Sequence, residues 1–421
     1  MDNPAQPALN RRLSQAEFDL VAGAHERLQA GKPGGRRLSL LFTDLAGLDL
    51  RERNLSDADL TGSCFDGCAM AGVVLDRANL FGCSFRSADL RHASLVRADI
   101  RGASMRGANL TGADLSQADF REGQIAIPHP RKGINVIRHE ARTGDLDQAN
   151  LSGADLTGSN MTGISAFAAD FTDCSLRGAK LSGANLKDAN LTGAMMENAE
   201  MGGANMQGAK LAGAVMTGVD IELLRGADLS ACLRAPSATA VAMAEELYQR
   251  AVANGQWCDS GAKLGRPADF AGEDLRPLGA RLKGMKLTAM VASGACMVGL
   301  DLSGAQLQGA NLEGADLRGC NLQGADLRGA RLSGANLTKS DLRQAMLGAL
   351  PLGAGRSRAS GMENTRLRYA NARLADLTGA VLDEADLRGA DLTGAVLSGA
   401  SLRAADVAAV IGLDFSQGEA A

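Results

Sequence analysis

The chain has 421 residues, a net charge of −4, 22% charged residues and 52 Gly. One Trp, two Tyr and 3% aromatics overall exclude an aromatic-rich globular core, and the near-neutral balance excludes a strongly basic nucleic-acid binder. Apolar content is ordinary at 45%, but Ala, Leu and Met supply most of it.

Residues 1–37 read as an N-terminal helix and loop. Met1 to Asn10 is polar and lacks the basic-then-apolar layout of a signal peptide. Ser14 and Glu17 have capping-box spacing. Phe18, Val21, Ala22, His25 and Leu28 follow at helical intervals, with His25 expected at the edge of the apolar face, and Gly31 supplies a stop.

Residues 38–120 form a first repeat array, with a bulky centre every fifth residue from Leu40 to Phe120. Most centres follow Ala-Asp or Ala-Asn and precede a polar residue and Gly. A period of five smears side chains around an α-helix and alternates them across a straight strand. It works only if the chain turns once per repeat, which Gly and short Asp or Asn side chains favour. Residues 121–145 break the pattern, and Pro128 and Pro130 flanking His129 point to a projecting loop. Its candidate partner-binding residues are Ile125, Ile127, His129, Arg131, Lys132, Arg138 and His139.

A second array, 146–230, restarts in a new phase at Leu146. Residues 231–268 read as a helical linker or cap. Ser237 opens the helix, Val241, Ala244, Leu247, Tyr248, Ala251 and Val252 share one side, and Gly255 ends it before a linker holding Trp257 and Cys258. Asp269-Phe270-Ala271-Gly272-Glu273-Asp274-Leu275 then repeats the pattern Asp44-Leu45-Ala46-Gly47-Leu48-Asp49-Leu50. The protein therefore reads as two copies of one module. The third array, 269–410, holds one phase from Leu282 to Val407 with weak centres at Ala292, Ser357 and Ala372, and Arg356 to Arg358 marks a bulge. Residues 411–421 are a tail.

Runs such as Gly314-Ala315-Asp316-Leu317, Gly319-Cys320-Asn321-Leu322 and Gly324-Ala325-Asp326-Leu327 resemble the pentapeptide-repeat family. The resemblance implies an all-β fold, a right-handed quadrilateral β-helix with one repeat per side and about twenty residues per coil. The expected architecture is two such modules, each preceded by an amphipathic capping helix. Phe65, Phe85 and Met105 recur at the coil spacing, and Leu317, Leu322 and Leu327 continue the core column.

No converging catalytic set stands out. Asp and Asn before the centres belong to turns at every repeat, and no strand–GxGxxG–helix segment occurs. No enzyme activity, cofactor or metal is expected. Cys68, Cys83, Cys174 and Cys320 replace the inward Ala, which suits a reducing cytosol better than a disulfide framework. Arg86, Arg91, Arg97, Arg101 and Arg106 line the first array, but 40–120 holds eight basic and eleven acidic residues, so direct nucleic-acid binding is not expected. No apolar run is long enough for a membrane span. The expected function is a non-catalytic cytosolic scaffold binding an unknown protein through flat β-helix faces and the 121–145 loop. A homodimer through a solenoid end is also compatible. The alternative, implied by family members linked to quinolone resistance, is a DNA mimic that binds DNA gyrase. Residues 282–407 are balanced at fourteen basic and twelve acidic, which disfavours it.

Overall fold

Each five-residue repeat closes one turn. In Leu60-Thr61-Gly62-Ser63, the Ser63 N–H donates to the Leu60 carbonyl at 3.1 Å and Gly62 takes φ +69°. A positive φ at the third turn residue is where a type II turn takes Gly. The residue before each centre is extended and pairs in parallel with the residue twenty positions on, as Asp59 does with Asn79 and Asn79 with Asp99. Ser39, Asp44, Asp49 and Asn54 pair in turn with Asp59, Cys64, Ala69 and Val74, so four pairings complete a coil. The product is a β-helix in which pairing is one residue wide at each side. Long strands are therefore rare: β1 (Arg11–Arg12) runs parallel to β2 (Thr43–Asp44).

A computed structural model describes residues 11–129, 133–220, 224 and 227–413, with backbone alone over 125–129 and 133–141. The chain divides into two compact units, Met1–Ala235 and Pro236–Ala421. Each has its own column of centres and inward small residues; Phe65, Phe85, Met105, Leu317, Leu322 and Leu327 are all buried. Cys68 and Cys83, in the Ala position, donate their thiols to the Leu45 and Leu60 carbonyls, each at 3.0 Å. Burial pushes the Cys68 thiol up to about 11.

Helix α1 (Gln15–Gln29) opens with the expected capping box of Ser14 and Glu17. Its buried face is Phe18, Ala22 and His25. His25 is not at the edge of that face but fully enclosed. Its Nδ1 accepts the Leu38 N–H at 3.0 Å, which leaves Nε2 to donate to the Ser56 carbonyl at 2.8 Å. Leu28 lies beyond the contact and is 45% exposed.

Helix α2 (Ala238–Asp259) buries Leu247, Ala251 and Asn254. It runs through Gly255, so Trp257 and Cys258 are helical rather than in a linker. A single Gly costs a helix only about 1 kcal/mol, which the packed face outweighs. The side expected from periodicity is only partly inward, since Val241 is 57% exposed.

Among the described residues, two hairpins interrupt the coils. Strand β3 (Gly123–His129) pairs antiparallel with β4 (Gly133–Arg142), so the expected projecting loop is a β-ribbon. Pro128 sits within it, opposite Ile137. Both strands of a two-stranded ribbon are edges, so a proline can turn its missing N–H outward, and the register shifts just after it. The coil ladder resumes across the insertion, Ser104 pairing with Asp145 and Asp119 with Asn160.

In the second unit, β5 (Leu350–Gly353) and β6 (Arg356–Arg358) form a smaller antiparallel hairpin. Arg331 pairs with Gly361 around it, so ten residues are inserted into one coil. Ser357 is therefore not a weak centre, nor Arg356 to Arg358 a bulge within a repeat: both leave the coil. Ala292 and Ala372 are true centres, at 0% and 4% exposure. The first coil of this unit spans 22 residues, Asp269 to Val291, and absorbs the excess in a 3-10 turn at Arg276–Leu278.

Candidate interaction surface

The β3–β4 ribbon leaves the coil through close backbone approaches. A Cβ on Gly123 would lie 2.6 Å from the Phe81 ring, and one on Gly144 would lie 2.4 Å from the Phe120 carbonyl. Arg101 covers the Phe81 ring, its Cζ 5.3 Å from the centroid. Arg142, at the end of β4, reaches the Gly82 carbonyl at 3.5 Å. The root is thus fixed by side chains of the coils, and the ribbon extends from it.

The register sets Ile125 opposite Glu140, Ile127 opposite Arg138 and His139 opposite Ala126. His129 faces Gly133 near the turn. His129 and His139 are therefore set apart by about three strand residues, roughly 10 Å. The register does not bring them together as a pair. Arg131 and Lys132, the other two candidates, lie outside the described residues.

On the coils, polar side chains are largely consumed by one another. In Asp49-Leu50-Arg51 the carboxylate accepts the Arg51 N–H at 3.1 Å and its guanidinium as well. Asp89 with Arg91, Asp99 with Arg101, Asp316 with Arg318 and Asp341 with Arg343 repeat the arrangement. The Arg51 hydrogen bond holds the Asp49 carboxyl down at about 2. The Arg91 bond likewise lowers Asp89. Arg106 is shared between Asp145 and Asp147. Elsewhere on the Asp49 and Asp89 ladder the turn bonds are neutral: Thr111 donates to Asn109, Ser152 to Asn150 and Thr192 to Asn190.

One feature escaped the sequence reading, and another showed there only as a bulge. Asn254 lacks any motif, because an isolated Asn on a helix face looks like a solvated residue. The β5–β6 hairpin carries exposed Leu352, Arg356 and Arg358, yet its length equals two repeats and leaves the phase unchanged.

No curated protein matches the chain. The family model for pentapeptide repeats matches within residues 40–121, 145–163, 169–208, 291–347 and 362–407, more than half of the chain. Solved structures that match include HetL, a pentapeptide repeat protein of heterocyst differentiation regulation from the cyanobacterium Nostoc sp. strain PCC 7120. It is 18% identical over 92% of this chain and 94% of its own, with a TM-score of 0.23. Full-length QnrB1, a plasmid-mediated fluoroquinolone resistance protein, is 21% identical over 50% of this chain and 89% of its own, TM-score 0.21. Rfr23, from the cyanobacterium Cyanothece 51142, is 32% identical over 25% of this chain and 63% of its own, TM-score 0.14. At these TM-scores nothing about partners follows. The chain belongs to the pentapeptide-repeat family, whose members fold as right-handed β-helices.

Proposed function

We propose that this protein is a non-catalytic binding scaffold that engages a protein partner through the β3–β4 ribbon and the adjoining coil faces. The carrying observation is the closure of the coil ladder across the insertion, Ser104 to Asp145 through Asp119 to Asn160. The solenoid does not need these residues to fold, and segments held on a rigid framework without a folding role are where binding residues concentrate. Ile125, Ile127, His129, Arg131, Lys132, Arg138 and His139 are the contact candidates.

Four pairings per coil support a four-sided solenoid with flat faces, and the buried faces of α1 and α2 support a capping role for each helix. Unpaired edge groups of a first coil would otherwise template aggregation. The cysteines of the chain are free and most are buried, which fits a reducing, cytosolic setting. Among the described residues no helix is long and apolar enough to cross a membrane, and no cluster of three His, Cys, Asp or Glu is placed to hold a metal. Reading the coils as a DNA mimic draws less support, because Asp49, Asp89, Asp99, Asp316 and Asp341 are each neutralised by an Arg two residues on.

Replacing residues 125–142 with a short Gly/Ser linker tests the assignment. The thermal midpoint should stay nearly constant while proteins that co-purify with the full chain are lost. Recovery of the same proteins at the same yield would move binding to the β faces.

A further inference from the structure

We propose that His25 makes the seat of α1 sensitive to acid, and that Asn254 makes the corresponding seat of α2 insensitive to it. The inference rests on the capping role proposed for the helices. Phe18, Ala22 and His25 in α1 match Leu247, Ala251 and Asn254 in α2, with the same spacing along each helix. The bonds match as well. His25 Nδ1 accepts the N–H of Leu38, the residue preceding the first coil pairing, and Asn254 Oδ1 accepts the N–H of Ala268, which holds the same place. His25 Nε2 donates to the Ser56 carbonyl, and Asn254 Nδ2 donates to the Lys286 and Thr288 carbonyls at 3.2 Å each. Ser56 and Thr288 each lie two residues past a pairing position, Asn54 and Lys286.

The two side chains thus perform one task, but only one of them can take up a proton. Neutral His25 offers one acceptor and one donor, as this seat requires. A second proton on Nδ1 would face the Leu38 N–H, donor against donor, with no solvent to compensate. The charged groups around the site are already paired. On α1, Asp19 and Glu26 both bind Arg53 of the first coil. From the coil, Asp57 binds Arg77, and Arg37 of the connecting segment donates to the Asp57 carbonyl. Each carboxylate among them is thus committed to an arginine. A proton at Nδ1 therefore sets a donor where the seat needs an acceptor, so seating weakens as pH falls.

Hydrogen exchange of the full-length protein, corrected for intrinsic rates, tests this at about pH 7.5 and about pH 5, either side of ordinary histidine titration. Exchange across α1 and Leu38 should accelerate about tenfold or more at the lower pH, while α2 and Ala268 should not change. His25→Asn should abolish the acceleration, and Asn254→His should confer it on α2, so either variant suffices if the other fails to fold. Equal protection of α1 at both pH values, or an undiminished response in His25→Asn, would overturn the proposal and leave the cap intact. An α1 already unprotected at pH 7.5 would instead overturn the capping role itself.

Discussion

The rings of Phe65 and Phe85, one coil apart in the core column, stack with centroids 4.8 Å apart and planes within 5°. The centroid distance matches the spacing between hydrogen-bonded strands, so the coil rise itself sets the stack. Both rings are fully buried. Phe85→Ala should cost about 3–5 kcal/mol and Phe85→Leu substantially less, because the rigid coils above and below cannot collapse into the cavity. Denaturant unfolding measures both, and equal losses would show that the column adapts to volume.

The turn carboxylates are not equivalent. Arg318 is nearly buried, with 9% of its side chain exposed, and its guanidinium lies 2.6 Å from Asp316. Asp316→Ser removes the carboxylate from a nearly buried cation, so it should cost clearly more than the about 1 kcal/mol or less of an exposed pair. Asp341→Ser leaves Arg343 half in solvent and should cost about 1 kcal/mol or less. Leu317→Asp, which puts a charge into the core, should be at least as damaging as Asp316→Ser. Indistinguishable thermal midpoints for the two serine variants would refute the distinction.

Tyr369 lies across Gly389 one coil later, where a Cβ would come 2.4 Å from its ring. Lys339 and Arg368 sit 5.6 and 6.0 Å from the ring centroid. Gly314 has a similar positive φ, but nothing lies within 4 Å of a Cβ there. Gly314→Ala should cost only the backbone penalty of about 1–2 kcal/mol. Gly389→Ala should cost clearly more, because the ring must leave its seat, and Tyr369→Ala should erase that excess in a double-mutant cycle.

The Asp49 carboxyl, held at about 2 by Arg51, should stay ionised far below the usual carboxylate range. Its folded value is depressed, so its contribution is present above about pH 3.9 and is lost as pH falls toward 2. Arg51→Ala should raise the titration midpoint of Asp49, read from its side-chain carbon shift. An unmoved midpoint would assign the depression to the backbone N–H alone.

The units Met1–Ala235 and Pro236–Ala421 each hold a helix, a first coil and a closed core cluster. Each should fold when expressed by itself, with a cooperative thermal transition. Two insoluble halves beside a soluble whole would show that the units depend on each other.

The five-residue period by itself determined the turn at every repeat, the inward centres and the small inward residues, because only one backbone path keeps that period facing a core. It also revealed the β3–β4 insertion, since Ser104 to Asp145 is one residue longer than a multiple of five and shifts the phase. The β5–β6 insertion, ten residues long, adds two whole repeats and leaves the phase unchanged; the sequence marks only a weak centre and a bulge there, and the pairing of Arg331 with Gly361 shows that the segment leaves the coil. Strand pairing likewise decided that Pro128 could join a ladder, because a free edge tolerates a missing donor. The match of His25 with Asn254 was beyond the sequence for a related reason. The two helices begin at different distances from their seats, and an imidazole and an amide share no sequence signal, only the positions of an acceptor and a donor against the first coil.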